Sequence, residues 1–197
     1  MLTLYLISTI LLILAPGPNM LMMIALASSQ GARAGRIAAL GLMSGVIVHT
    51  LVATTGGSLL VAQWPSALYA VRILGSMYLV YIGGRMIWAQ FRAHPTSSSL
   101  AVTRTPFMQG LMSSITNTKT LVLFVSFLPQ FMDPQKSIAG QFIVLGAIYA
   151  GLTLVIYGLI GSLAGWAGAV LQQQHVQRML RVVAGGVIAG LGLWGLR

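Results

Sequence analysis

Few places in this chain can supply chemistry. One is Ala15-Pro16-Gly17-Pro18-Asn19, set inside the apolar run LYLISTILLILAPGPNMLMMIALASS. Pro16 and Pro18 bring no amide N–H, so the carbonyls of Leu12 and Leu14 lose their helical donors. Each proline also biases its predecessor, Ala15 or Gly17, away from helical geometry. A helix restarting with Gly17 as cap and Pro18 in its first turn leaves the amides of Asn19, Met20 and Leu21 without a helical partner. They face the positive end of a half-helix dipole, where an anionic group such as a carboxylate fits. The alternative is a proline kink whose loose groups are satisfied by neighbouring helices.

A second place is SSITNTKTLVLF, residues 113–124, where Lys119 sits among Ser, Thr and Asn. These side chains offer the backbone alternatives to helical pairing, and Asn117 or Thr116 suits the cap of a restarted helix. A lysine within a span costs about 2.5–3.5 kcal/mol on insertion scales. Asp133, the only acid, is fourteen residues further on, about 21 Å along a continuous helix. Lys119 therefore needs carbonyls, water, a bound anion or loss of its proton. A carboxylate-bearing ligand is favoured over a structural lysine.

The third is His49, in GVIVHT. A histidine inside a span is a candidate for proton coupling, with a neutral histidine bridging two helices as the alternative. His94 and His175 fall in polar segments and are expected to be solvated. No HExxH, paired carboxylates, nucleotide loop or GxSxG occurs, so no enzyme is expected. Neither is a cofactor, and there is no cysteine and no metal-ligating set.

The elements that must hold these residues follow from composition. Of 197 residues, 57% are hydrophobic and 6% charged, against about 25% charged in soluble domains. Such a chain cannot dress a water-facing surface; it is a polytopic membrane protein in contact with lipid. The net charge of +10 is scattered and forms no nucleic-acid footprint. With about 20 apolar residues per span, six segments qualify: 2–27, 38–62, 67–90, 107–131, 140–164 and 180–196. A cleaved signal peptide is disfavoured, because no Lys or Arg precedes the first apolar stretch.

The segment 91–106 separates three spans from three. Arg33, Arg36, Arg85, Arg92, Arg104, Arg178 and Arg181 flank the odd breaks, against Arg72, Lys136 and Arg197 on the other side. That puts the odd breaks in the cytoplasm and both termini outside. Three spans per half gives an all-α, 3+3 inverted repeat, a single transmembrane domain over 1–197 with halves 1–92 and 105–197. The pairs Gly41/Gly45, Gly161/Gly165 and Gly186/Gly190 are expected at close helix contacts. Oligomeric state is not set by the sequence, and association with further copies stays open.

APGPNMLMMIALASSQGARAGRIAALGLMSG resembles the N-terminal signature of the LysE/RhtB family of amino-acid exporters. RILGSMYLVYIGGRMIW is similar to that family's third span, and FMQGLMSSITNTKTLVLFVSFLPQFMDP to its fourth. The resemblance covers essentially the whole chain. It implies a small carrier of the bacterial inner membrane that exports amino acids, driven by an ion gradient, with protons as the expected partner. The family's motif positions fall on Pro16, Gly17, Pro18, Asn19, Asn117 and Lys119. The family's usual Asn-Pro-Lys reads Asn117-Thr118-Lys119 here, so the second break is not covalently enforced and a polar but continuous helix stays open. With no acid lining the spans, neutral substrates are expected over cationic ones. The runner-up, export of an inorganic or metal cation as in distant relatives, is poorly served by a single carboxylate.

Overall fold

The computed structural model describes residues 2–64, 66–88, 105–163, 170 and 173–196; of Thr118, Lys119, Val122 and Leu123 only the backbone is described. Helix α1 (Leu2–Leu14) buries Tyr5, Ser8, Thr9, Leu12 and Ile13, a stripe at the three- and four-residue spacing of one helical face. It stops where Pro16 and Pro18 remove the next donors. Helix α2 (Pro18–Gln63) restarts from Gly17, whose extended backbone (φ −159°, ψ −178°) makes a cap without a side chain.

Within α2 the sole non-helical residue is Gly31, at φ 85° and ψ 173°, a region essentially closed to other residues. The expected break SSQGARAGR thus shrinks to one residue. Its Ala, Arg and Gln are good helix formers, and Ser29 bonds back to the Ala25 carbonyl at 2.8 Å. Helices α3 (Ala67–Trp88), α4 (Pro106–Ile115) and α5 (Thr118–Phe127) follow, then a 3₁₀ turn over Leu128–Phe131. Helix α6 (Ile138–Ser162) is capped by Ser137, which accepts from the Gly140 amide at 3.2 Å. Helix α7 (Gln174–Gly195) closes the fold. It begins earlier than the expected 180, because Gln174–Gln177 continue the helix as a polar first turn with His175 exposed.

The chain is an all-α polytopic membrane protein. By length and composition α2, α3, α6 and α7 can each cross a membrane. The segments 2–27 and 107–131, expected as single spans, each hold two helices, α1 with the start of α2 and α4 with α5. Residues 89–104, including His94, lie outside the described residues.

Glycine sets how these helices meet. Gly35 lies against Gly161, Gly146 against Thr50 and Gly57 against Phe142, so α2 and α6 run antiparallel. Gly83 against Gly185 and Gly192 against Val80 make α3 and α7 antiparallel as well. Gly41 and Gly45 pack on Phe107, Leu111 and Ser114 of α4, which runs parallel to α2. Gly41/Gly45 and Gly161 therefore sit at close contacts as expected, while Gly165 lies outside the described residues. Gly186 and Gly190 do not: a methyl at either would meet nothing within 4 Å. The packed face of α7 carries Gly185 and Gly192 instead, rotated from the expected stripe.

At one end of the bundle, Arg72 of α3 donates to the Pro129 carbonyl at 2.7 Å and to that of Met132, closing the 3₁₀ turn. Gln130 returns a bond to the Arg72 carbonyl at 3.0 Å. An aromatic cluster fills the core behind it, with Tyr5, Phe127 and Phe131 in mutual ring contact.

Candidate functional site

The segment 107–131 is interrupted as 2–27 is, without a proline. Helix α4 ends at Ile115 and α5 begins at Thr118. The Asn117 amide turns back to the Ser114 carbonyl at 3.2 Å, and the Asn117 carbonyl accepts from Thr120 and Leu121. A run of Ser, Thr and Asn is enough to supply the alternative pairing. The continuous-helix option therefore falls.

The two interruptions touch. The Ser113 hydroxyl donates to Asn19 Oδ1 at 2.9 Å. A pocket opens beside this bond, lined by Leu12, Ala15, Gly17 and Asn19 of the first break, Asn117 and Thr120 of the second, Val46 of α2, and Tyr149, Thr153 and Tyr157 of α6. It is narrow, with room for about two waters, so an amino-acid-sized molecule enters only when the helices part.

The electrostatics come from backbone. At the start of α2 the Leu21 amide returns to the Gly17 carbonyl at 3.0 Å, which leaves the Asn19 and Met20 amides without a helical acceptor. The start of α5 adds a second positive helix end beside Asn117. Leu12 lines the same pocket near the carbonyl end of α1, the negative end of that helix's dipole, and its carbonyl loses its helical donor to Pro16.

Each interruption is also tied to a helix distant in sequence, the first to α6 and the second to α2. The Tyr157 hydroxyl donates to the Ile13 carbonyl at 3.1 Å. His49 Nε2 lies 3.0 Å from the Ser114 carbonyl; a carbonyl only accepts, so Nε2 carries the hydrogen and Nδ1 is the nitrogen left to take a proton. Phe124 packs on both the His49 ring and the Tyr149 ring, at 5.9 Å and 5.3 Å. His49 thus stands one turn from Val46 and one ring from the pocket wall.

Of the residues expected at a site, Gly17, Asn19 and Asn117 come together on this pocket. Pro16 and Pro18 flank it in sequence, Pro18 being exposed. The backbone of Lys119 lies in the first turn of α5, and its side chain is outside the described residues. Asp133 is engaged elsewhere, 3.5 Å from Lys136 in the connection before α6. The Gln135 amide on its side chain, more than the Lys136 charge, holds that carboxyl below the usual carboxylate range. Tyr149, Thr153 and Tyr157 are additions from α6. Their signal is a hydroxyl every fourth residue in FIVLGAIYAGLTLVIYGLIG, one helical face of an otherwise apolar span.

A model of the family described as "LysE type translocator" matches residues 10–196. An uncharacterized membrane protein of Bacillus subtilis is 26% identical over 193 residues, 93% of this chain and 92% of its own. A leucine efflux protein of Salmonella typhimurium is 33% identical over 135 residues, 66% of this chain and 62% of its own. One of Enterobacter sp. is 30% identical over 151 residues, 72% of this chain and 68% of its own. No solved structure matches the chain.

Proposed function

The chain belongs to the LysE type translocator family, and on that premise we propose that it exports amino acids, neutral ones such as leucine in particular, across the bacterial inner membrane in exchange for protons. The observation that carries this reading is the meeting of two interrupted helices, one from each half, at the Ser113–Asn19 bond. Residues of two helix starts, Gly17 and Asn19 with Asn117 and Thr120, line one pocket that no acidic side chain lines. A substrate carboxylate takes the amides of Asn19 and Met20 and the start of α5. Lys119, whose backbone lies in the first turn of α5, is the cation we assign to the carboxylate in this reading. The leucine efflux relatives support the substrate class.

In this mechanism His49 takes the proton at Nδ1 while Nε2 stays on the Ser114 carbonyl. A change of charge there alters the grip of α2 on the end of α4. The two halves rock about the pocket and open it to one side at a time. Among the described residues no three of His, Cys, Asp or Glu gather, so cation export gains no support from the geometry.

Proteoliposomes loaded with leucine test the reading. Leucine should leave faster when the receiving side is acidified. His49→Gln keeps an N–H for the Ser114 carbonyl and cannot take up a proton; it should retain leucine exchange and lose the acceleration. Lys119→Ala should lower saturable efflux about tenfold, the worth of one charge-assisted hydrogen bond. Full acceleration in His49→Gln sinks the coupling assignment, and unaltered efflux in Lys119→Ala removes that lysine from the site.

A further inference from the structure

Resting on the amino-acid reading above, we infer that Thr153 and the Leu12 carbonyl form the subsite for the substrate's α-ammonium, and that this subsite restricts the carrier to zwitterions with an uncharged side chain. The observation is a hydroxyl out of place. Thr153 is 2% exposed, lines the pocket, and its Oγ1 makes no hydrogen bond within the protein. Several helical hydroxyls return to the carbonyl four residues back: Ser44 to Leu40 and Thr50 to Val46 at 2.9 Å, and Thr54 to Thr50 at 2.7 Å. The hydroxyls of Ser8, Thr9, Ser58, Ser76 and Ser114 are, like that of Thr153, buried without a partner, and of these residues it is Thr153 that lines the pocket. The same bond, to the Tyr149 carbonyl, is open to Thr153 and is not made. A buried polar group left unmatched is costly, and a cationic donor in the pocket removes that cost.

The second acceptor is the Leu12 carbonyl, stripped of its helical donor by Pro16. It belongs to the negative end of α1. Leu12 and Asn19, from the two sides of the break, both line the pocket, so helix ends of opposite sign meet beside it, the charge pattern of an α-amino acid. The Tyr149 ring borders the same wall, and an aromatic face favours a cation beside it.

The limits on substrate follow from charge. Thr153 and Leu12 are neutral acceptors, adequate for an ammonium whose own carboxylate lies next to it. A second cation on the substrate's side chain has no counter-charge, since the sole acid, Asp133, pairs with Lys136 outside the pocket. Val46 offers an apolar surface for an aliphatic side chain.

The test is leucine counterflow in proteoliposomes, with 4-methylpentanoate as competitor. That acid keeps leucine's shape and carboxylate and replaces the ammonium with a hydrogen. Thr153→Val, of the same shape, should raise the KM for leucine about tenfold with kcat little changed, and leave the competitor's inhibition constant where it was. Thr153→Ser should restore the KM. Equal weakening of both ligands, or of neither, overturns the subsite. If the wild-type protein shows no counterflow of leucine or any other neutral amino acid, the export reading fails and takes this inference with it. If it exchanges leucine and Thr153→Val behaves as wild type, only the subsite is lost.

Discussion

A double variant, Pro16→Ala with Pro18→Ala, should reach the membrane in normal or higher amount and export almost nothing. Both prolines deny a donor to the turn before them, and alanine restores it. The carbonyls of Leu12 and Leu14 regain partners, and the amides of Asn19 and Met20 are drawn into a continuous ladder. Stability should not fall, since proline is the least favourable residue in a helix interior, by about 3 kcal/mol relative to alanine. Function should fall steeply. A carboxylate bound by two backbone amides loses both, at roughly 1.5–3 kcal/mol for each charge-assisted bond. Even the lower figure, taken twice, predicts roughly a hundredfold loss of efflux. The measurement is saturable leucine efflux normalised to membrane abundance. Near-wild-type efflux from a well-folded double variant would show that the interruption is dispensable.

The second large effect concerns folding. Gly41→Val should leave little folded protein, because a Cβ at Gly41 would run into the Phe107 carbonyl oxygen and lie 2.8 Å from the Leu111 nitrogen. These are backbone atoms of a helix and cannot swing aside. The contact is mutual, with Gly110 pressed against the Ala38 carbonyl, so relief requires moving α4 away from α2. That strains the Ser113–Asn19 and His49–Ser114 bonds, which hang from the same end of α4. Overpacking typically costs about 1–3 kcal/mol, and an immovable backbone neighbour puts this variant at or above the top of that range. Gly190→Val is the control, since nothing lies within 4 Å of its added carbon. Thermal melting of both in detergent decides it. Equal midpoints would mean the α2–α4 contact is looser than described.

Much of this was legible in residue order, for identifiable reasons. Proline acts through the covalent backbone, so the first interruption could be placed to the residue. The segment 107–131 was harder. Asn117, Thr118 and Thr120 permit a break without compelling one, and the outcome depends on what Asn19 and His49 offer from other helices. The glycines divide the same way. Gly41 and Gly45 have their partners, yet Gly186 and Gly190 have the same spacing and face nothing, because spacing fixes which residues share a face and not which face is packed. Tyr149, Thr153 and Tyr157 do not stand out in the sequence, because single hydroxyls in an apolar span are common. Their four-residue recurrence was the available sign. His49 was recognisable as a buried histidine, but its Ser114 partner is 65 positions away and no local pattern reports it.

The crossed bonds from Tyr157 to Ile13 and from His49 to Ser114 also govern biogenesis. Translation delivers α1 to α3 first, and at that moment Ile13 has no tyrosine to meet and the imidazole of His49 has no carbonyl. Neither has that partner until the later helices have left the ribosome. The early intermediate therefore needs water, an insertase or a rapid successor to shelter it, and a pause in synthesis between α3 and α4 is the interval in which a quality-control protease would find it.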